Sequence, residues 1–248
     1  MADIKSLLYS GAVIYNKVTL QEFAVKNFTE TPENGGCCLL WTVPADSTYI
    51  KFEMWGGGGG GGGACCCMQG FPGGGGSYGT KELTGSQVRP GCTYTICAAA
   101  TTGAAPSNNG CTGYTSFVQG HNLSNFCAIG GTNGCTNCNA WQGNCYQCSM
   151  CSYRCNAYGG DLNVSSSCGG SRVTFYCFNQ AQQWATVAPA TVSGPVFGPA
   201  GCSCVGIGYE SLCKPIFPGG GGFSGQHYAG GCFCGWYGGA GLVLVTYG

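Results

Sequence analysis

Cys145, Cys148, Cys151 and Cys155 follow the C-x2-C-x2-C-x3-C spacing that lets four thiolates hold an iron–sulfur cluster. Asn156 stands where such runs carry proline, and no second matching run exists. Cys135 and Cys138, taken with Cys145 and Cys148, form two C-x2-C pairs, the local geometry with which two thiolates face one zinc ion. The six residues between the pairs are fewer than the dozen or more usual in a zinc site. Disulfides are therefore the favoured reading of the set, zinc or iron–sulfur the alternative, and no cofactor is expected. In a loop-rich region each bridge would contribute about 2 to 4 kcal/mol by restricting the unfolded chain. The doublet Cys37-Cys38 and the triplet Cys65 to Cys67 cannot all bridge locally. They imply long-range pairing, buried thiols or bonds between subunits.

For acid–base or nucleophilic catalysis the inventory is thin. His121 and His227 are the two histidines, and neither adjoins a nucleophile motif. Gly206-Ile207-Gly208 lacks the third glycine and the following helix of a dinucleotide site. No enzyme is expected. Binding is better served: Tyr114, Phe117, Trp141, Tyr146, Tyr153 and Tyr158, with His121, lie in loop-like sequence. Aromatic faces with polar tips suit a sugar or protein surface. The competing reading is that these rings fill the core that glycine leaves empty.

The whole composition narrows the partners. With nine acidic and nine basic residues in 248, the chain has a formal net charge of zero. That gives no electrostatic basis for binding nucleic acid or an anionic membrane. Low charge with abundant aromatics is also the wrong composition for disorder, so the chain is expected to fold. Its 22 cysteines suggest a disulfide scaffold or metal sites. Yet the first twenty residues have no uninterrupted apolar core ahead of a small-residue cleavage site. A protein made in a reducing cytoplasm and later released to an oxidising exterior reconciles the two. No apolar stretch approaches the roughly 20 residues of a membrane-spanning helix.

The elements that must position these residues centre on Tyr49 to Trp55. The apolar or aromatic side chains of Tyr49, Ile50, Phe52, Met54 and Trp55 fall in both registers and predict a strand buried on both faces. Pro44, Asp46 and Ser47 predict a turn before it, with the strand starting near Thr48. Eight glycines, Gly56 to Gly63, follow without a break. Such a run by itself reads as a linker, but it begins on an aromatic strand and ends in three cysteines. We expect ordered, polyproline-II-like glycine helices packed side by side through their own peptides. Two further glycine loops share one context: Gly73 to Gly76 follows Phe71-Pro72, and Gly219 to Gly222 follows Phe217-Pro218.

Leu83, Val88, Tyr94 and Ile96 read as two strands in a hairpin-like relation about Arg89-Pro90-Gly91. Arg172 to Phe178, Trp184 to Val187 and Leu242 to Tyr247 read as further strands, the last suited to the middle of a sheet. Residues 1–36 hold seven of the charges (Asp3, Lys5, Lys17, Glu22, Lys26, Glu30, Glu33) and suggest a separate docking segment, with Gln21 to Lys26 as a helical turn. Residues 37–248 then form a glycine-rich β domain, with a cysteine-rich insert at about 98–210.

The order Trp41-Thr42-Val43-Pro44-Ala45, Tyr49 to Trp55, glycine run, Ser77-Tyr78-Gly79, Leu83, Pro90-Gly91, Tyr94-Thr95-Ile96 and Gly241 to Tyr247 resembles the glycine-rich domain of bacteriophage tail-fibre and tip proteins. It covers about residues 39–97 and 217–248. More distantly it is similar to the glycine-rich extracellular region of anaplastic lymphoma kinase-type receptors. The resemblance implies an all-β sandwich or jelly-roll-like body with glycine-rich loops, in a virion structural protein that commonly assembles as a homo-oligomer, a trimer. It implies contact with other virion proteins and with a host-surface glycan or protein, and no chemistry. The cysteine-dense stretch from Cys97 to Cys177 departs from the family.

Overall fold

Ile50, Phe52 and Met54 alternate with Tyr49, Lys51 and Glu53, and the even-numbered set is fully buried. This is the period of a strand with one face on a core. The other face is only half covered, and it carries the Lys51–Glu53 ion pair at 3.4 Å. The expectation of burial on both faces is thus corrected: the outer apolar contact begins at Trp55, which packs with Tyr78 and Leu242. The turn before the strand closes as expected, Ser47 N–H donating to Pro44 C=O.

The structure, a computed structural model, describes residues 7–9, 12–14, 19–24, 37–65, 69–70, 72–100, 109–137, 156–166, 218–222, 232–233 and 235–248. Its strands are β1 Leu7–Tyr9, β2 Ala12–Ile14, β3 Thr19–Ala24, β4 Cys37–Thr42, β5 Tyr49–Trp55, β6 Ala64–Cys65, β7 Gln69–Gly70 and β8 Tyr78–Thr84. They continue as β9 Thr93–Ala98, β10 Ser116–Gly120, β11 Leu123–Ala128, β12 Thr136–Asn137, β13 Ala157–Tyr158, β14 Leu162–Val164, β15 Cys232–Phe233 and β16 Leu242–Tyr247. Gly85–Gln87 is a single 3-10 turn. The fold is all-β, as the sequence predicts. One five-stranded antiparallel sheet has the order β14-β8-β5-β16-β3 and the other β13-β11-β10-β9-β4. Residues of both sheets share one core.

Several boundaries differ from the sequence reading. Thr19–Ala24 is a strand paired along its whole length with β16, so this part of the presumed docking segment, including most of its expected helical turn, belongs to the body. β8 and β9 lie in different sheets, so Arg89-Pro90-Gly91 turns the chain across the sandwich and does not close a hairpin. Of the supposed insert, β10, β11, β13 and β14 are strands of the sandwich itself. Arg172 to Phe178 and Trp184 to Val187 fall outside the described residues.

The core tapers. At one end Trp41, Phe52, Tyr94 and Tyr247 form an aromatic cluster with ring centroids 5.2–6.2 Å apart. Along β9 the inward positions then shrink from Tyr94 through Ile96 to Ala98; along β5 they run Phe52, Met54, Gly56; along β16, read backwards, Val245, Val243, Gly241. Smaller side chains let the layers converge until backbone meets backbone. Two fully buried serines mark the junction. Ser116 Oγ donates to Trp55 C=O at 2.6 Å and accepts Ala99 N–H at 2.9 Å. Ser77 donates from both its amide and its hydroxyl to Ile129 C=O.

Beyond the serines the strands become glycine helices without losing register. Trp55 opposite Tyr78 is followed by Gly56 N–H to Ser77 C=O and Gly59 N–H to Gly74 C=O. In the intervening positions Gly57 and Gly60 donate to Tyr114 and Cys111, and Gly58 and Gly61 to Gly239 and Trp236. Partners therefore recur every third residue, the period of polyproline II. The carbonyls of Gly57, Gly59 and Gly60 accept from Gly131, Gly222 and Gly134. Ala98–Ala100 lies alongside at the base, where Gly241 N–H donates to Ala99 C=O. Gly56 to Gly63 is thus the buried axis of a bundle of such segments, spanning about 25 Å at 3.1 Å per residue. At the far end β6 pairs with β15, and β7 with β12.

Among the described residues the positive-φ glycines are Gly85, Gly91, Gly159 and Gly219. The axial run has ordinary φ, so glycine is required there for its missing Cβ. A Cβ on Gly58 would overlap the carbonyl of Gly220, and one on Gly59 that of Thr132. In a mobile linker glycine-to-alanine changes stabilise by restricting the unfolded chain; here Gly58→Ala and Gly59→Ala should each destabilise by about 1–3 kcal/mol or more, as overpacking does. Denaturant unfolding decides between the signs. Ser116→Ala should cost about 1–3 kcal/mol, because it strips a partner from two buried backbone groups.

Candidate functional site

β10 and β11 are joined by the tight turn His121-Asn122, with Asn122 at φ 57°. His121 sits there for structural reasons: its C=O accepts the Tyr94 hydroxyl at 2.9 Å, and its Nε2 lies 2.9 Å from Asn122 Nδ2. The register slips between Val118 and Gly120, so Gln119 faces both Ser124 and Asn125 across a β-bulge. Bulges of this kind re-aim side chains. On the outer face Phe117 stands directly opposite Cys127, and Cys127 opposite Tyr158. The same row continues the other way to Cys97 and Cys38, which form a disulfide between β9 and β4.

These side chains border a shallow concavity of about 510 Å³, lined by Phe117, Gln119, Ser124, Asn125, Cys127 and Tyr158, with Val118 and Phe126 beneath. Tyr158 is half exposed. Burial pushes the Cys127 thiol up, so it stays protonated at neutral pH. Among the described residues, none of the lining side chains carries a formal charge.

The rim is fixed by the stretch after Tyr158. Gly159, at φ 75°, approaches the Asn125 carbonyl so closely that a Cβ would crowd it. The Asn163 side chain bonds both the N–H and the C=O of Gly160. Asp161 clamps the turn to β8: its carboxylate accepts Glu82 N–H at 2.8 Å and pairs with Lys81, while its own N–H donates to Thr80 C=O. The Glu82 amide first and Lys81 second hold the Asp161 carboxyl below its usual range.

Of the sequence candidates, Phe117 and Tyr158 are brought together. Tyr114 is exposed at the junction of sheet and bundle, where its C=O accepts Gly57 N–H, and His121 is at the turn. Trp141, Tyr146 and Tyr153 lie outside the described residues, as do Cys138, Cys145, Cys148, Cys151 and Cys155. Cys135 lies where the bundle passes into β12, and among the described residues no three metal-ligating side chains gather. The glycine loops Gly56, Gly63, Gly73, Gly76, Gly219 and Gly222 all belong to segments of the bundle.

Sequence reasoning missed Gln119, Ser124, Asn125 and Cys127, whose signal is two strand-like runs, Ser116–Gly120 and Leu123–Ala128, split by a two-residue turn. It also missed Trp236 and Tyr237, which project from the bundle and are 38% and 43% exposed. Their signal is Gly235-x-x-Gly238: both glycines face the axis, where a Cβ would overlap Gly61 and Gly58, and the two residues between them point away.

Fold and surface together define an all-β protein whose sandwich is prolonged into a glycine-helix bundle, with an uncharged concavity lined by aromatic, amide and hydroxyl groups on one outer face. No protein-family model and no curated protein matches the chain.

Asp161→Asn should loosen the rim and lower the melting temperature at neutral pH, by less than about 1 kcal/mol for so exposed a group. A depressed folded-state carboxyl contributes stability above the unfolded pKa and loses it as the pH falls through the folded one. The gap between wild type and variant should therefore close on acidification below the ordinary carboxylate range, as thermal melts across pH would read.

Proposed function

We propose that the chain is a non-enzymatic virion structural protein, a tail-fibre or tip adhesin of a bacterial virus that meets the host surface with its uncharged outer faces. The observation that carries this reading is the bundle: an axis of eight glycines held by backbone bonds to neighbours in three directions, stiffened by peptide hydrogen bonds and not by packed side chains. Such a body suits a part that must project and bear load. Docking to other virion proteins falls to the stretch up to residue 36, of which Thr19–Ala24 is anchored in the body. Self-assembly, as a trimer in this reading, would cover β4, which is an edge strand among the described residues and whose Leu40 is 75% exposed. Symmetric contacts cover such edges and multiply weak ones.

Gold-labelled antibody against the purified protein should decorate the tail extremity of intact particles, and the free protein should adsorb to host cells and compete with infection. Because the surface is near neutral, adsorption should change less than about threefold between roughly 50 and 500 mM salt. Label spread over the capsid, with adsorption unchanged in particles lacking the protein, would instead make it a decoration protein. Zinc or iron in the purified protein, with unfolding by a chelator and not by a reductant, would favour a metal-binding module.

A further inference from the structure

We propose that the concavity on β10, β11 and β13 binds a neutral oligosaccharide. The proposal deepens the adhesin reading and rests on it for the source of the sugar, the host surface.

Three features of the site point to this ligand. Phe117 and Tyr158 occupy one cross-strand row with Cys127 between them, so their backbones are two strand spacings apart, about 10 Å. That suits a chain of sugar rings better than a single one, each aromatic offering an apolar face to a pyranose. The bulge then sets Gln119 against Ser124 and Asn125, all three exposed beside that row. Amides and hydroxyls both donate and accept, as sugar hydroxyls do, so a few such groups can satisfy a polyol in several directions. Finally, among the described residues the lining has no carboxylate, ammonium, guanidinium or imidazole. An anionic sugar or a phosphate would lose its hydration there without gaining a counter-charge.

A protein ligand fits less well. A stable protein interface covers about 800 Å² and about 20–30 residues on each partner, whereas this shallow concavity is bordered by eight described residues. The site is also preformed. Gly159 against Asn125, Asn163 on Gly160 and Asp161 on β8 fix the rim before any ligand arrives, which reduces the entropy lost on binding.

The test uses the full chain against an immobilised panel of neutral gluco-, galacto-, manno- and N-acetylhexosamine oligosaccharides, with sialylated, uronic-acid and sulfated oligosaccharides alongside. At least one neutral oligosaccharide should bind saturably, with affinity unchanged within about twofold between low and high salt. Tyr158→Ala and Phe117→Ala should weaken it at least tenfold and Asn125→Ala several-fold. Tyr158→Phe should keep most of it, and Arg89→Gln, in the exposed turn before β9 and outside both the concavity and the β4 edge, all of it. Unchanged melting curves for Tyr158→Ala and Asn125→Ala separate lost binding from lost fold, since Phe117 is half-buried and its loss could unsettle the sheet.

Absence of neutral-sugar binding, a preference for the anionic set, or binding indifferent to Tyr158→Ala would each overturn the proposal. If Tyr158→Ala abolishes sugar binding while the protein still adsorbs to cells and blocks infection, the adhesin reading stands and the site is not its receptor contact. If sugar binding holds but the protein is absent from the tail extremity, the site stands and the adhesin reading fails.

Discussion

The whole molecule depends on one property of glycine in an extended left-handed helix: its peptide groups point in three directions, so one segment can bond neighbours on all sides. A β-strand bonds only to its left and right, and a second sheet must be met through side chains, about 10 Å away. β5 obeys that rule, pairing with β8 and β16 alone. Its continuation does not: Gly56 to Gly61 bonds the extensions of β8 and β16 and, in the third direction, those of β10 and β11 from the opposite sheet. Two layers held apart by Trp41, Phe52 and Tyr94 become one hydrogen-bonded solid within a few residues.

That change of period constrains everything next to it. The inward side chains must shrink toward the junction, and they do, through Ala98 and Ala128 to glycine. At Ser116 the gap is too narrow for a carbon chain and too wide for direct backbone pairing between Trp55 and Ala99, and at Ser77 amide and hydroxyl both reach the Ile129 carbonyl. Three outer segments also present glycine to the axis at every third residue, Gly73-x-x-Gly76, Gly110-x-x-Gly113 and Gly235-x-x-Gly238, and in the last two the intervening positions are left to cysteine, threonine, tryptophan and tyrosine. The same rule in collagen follows from the same crowding.

Energetically the bundle could not stand alone. Fixing a residue's backbone costs about 1–2 kcal/mol, more for glycine, whereas a hydrogen bond nets only about 0.5–1.5 kcal/mol. The sandwich supplies the difference by delivering each segment already aligned: β5 and β8, β10 and β11, and β5 and β16 each enter the bundle in the register they hold as strands. The short pairs β6–β15 and β7–β12 close the far end, and the Cys38–Cys97 disulfide ties β4 to β9 where the core is thinning.

Much of this was legible in the sequence. β5, the turn at Pro44 to Ser47, the closing strand Leu242 to Tyr247 and the ordered glycine run follow from alternation, turn chemistry and flanking residues. Less legible were the elements whose partners are distant in sequence. β8 and β9 adjoin in the chain, so a turn between them looked like a hairpin, although only the core decides which sheet a strand joins. β10 and β11 are hard to read because the bulge breaks their alternation, leaving the inward Leu123 and Phe126 three residues apart, and β13 because it is two residues long. The candidate site suffered likewise: Tyr158 and Phe117 could be suspected singly, but their shared row requires the β11 register, and Gln119 is aimed by a bulge that no local pattern announces. The rooting of these strands beside the bundle is what makes their outer face useful. Side chains rooted on three paired strands, beside a solid of backbone bonds, have little freedom left to lose, so a weakly interacting ligand can be held by few groups if they are already in place.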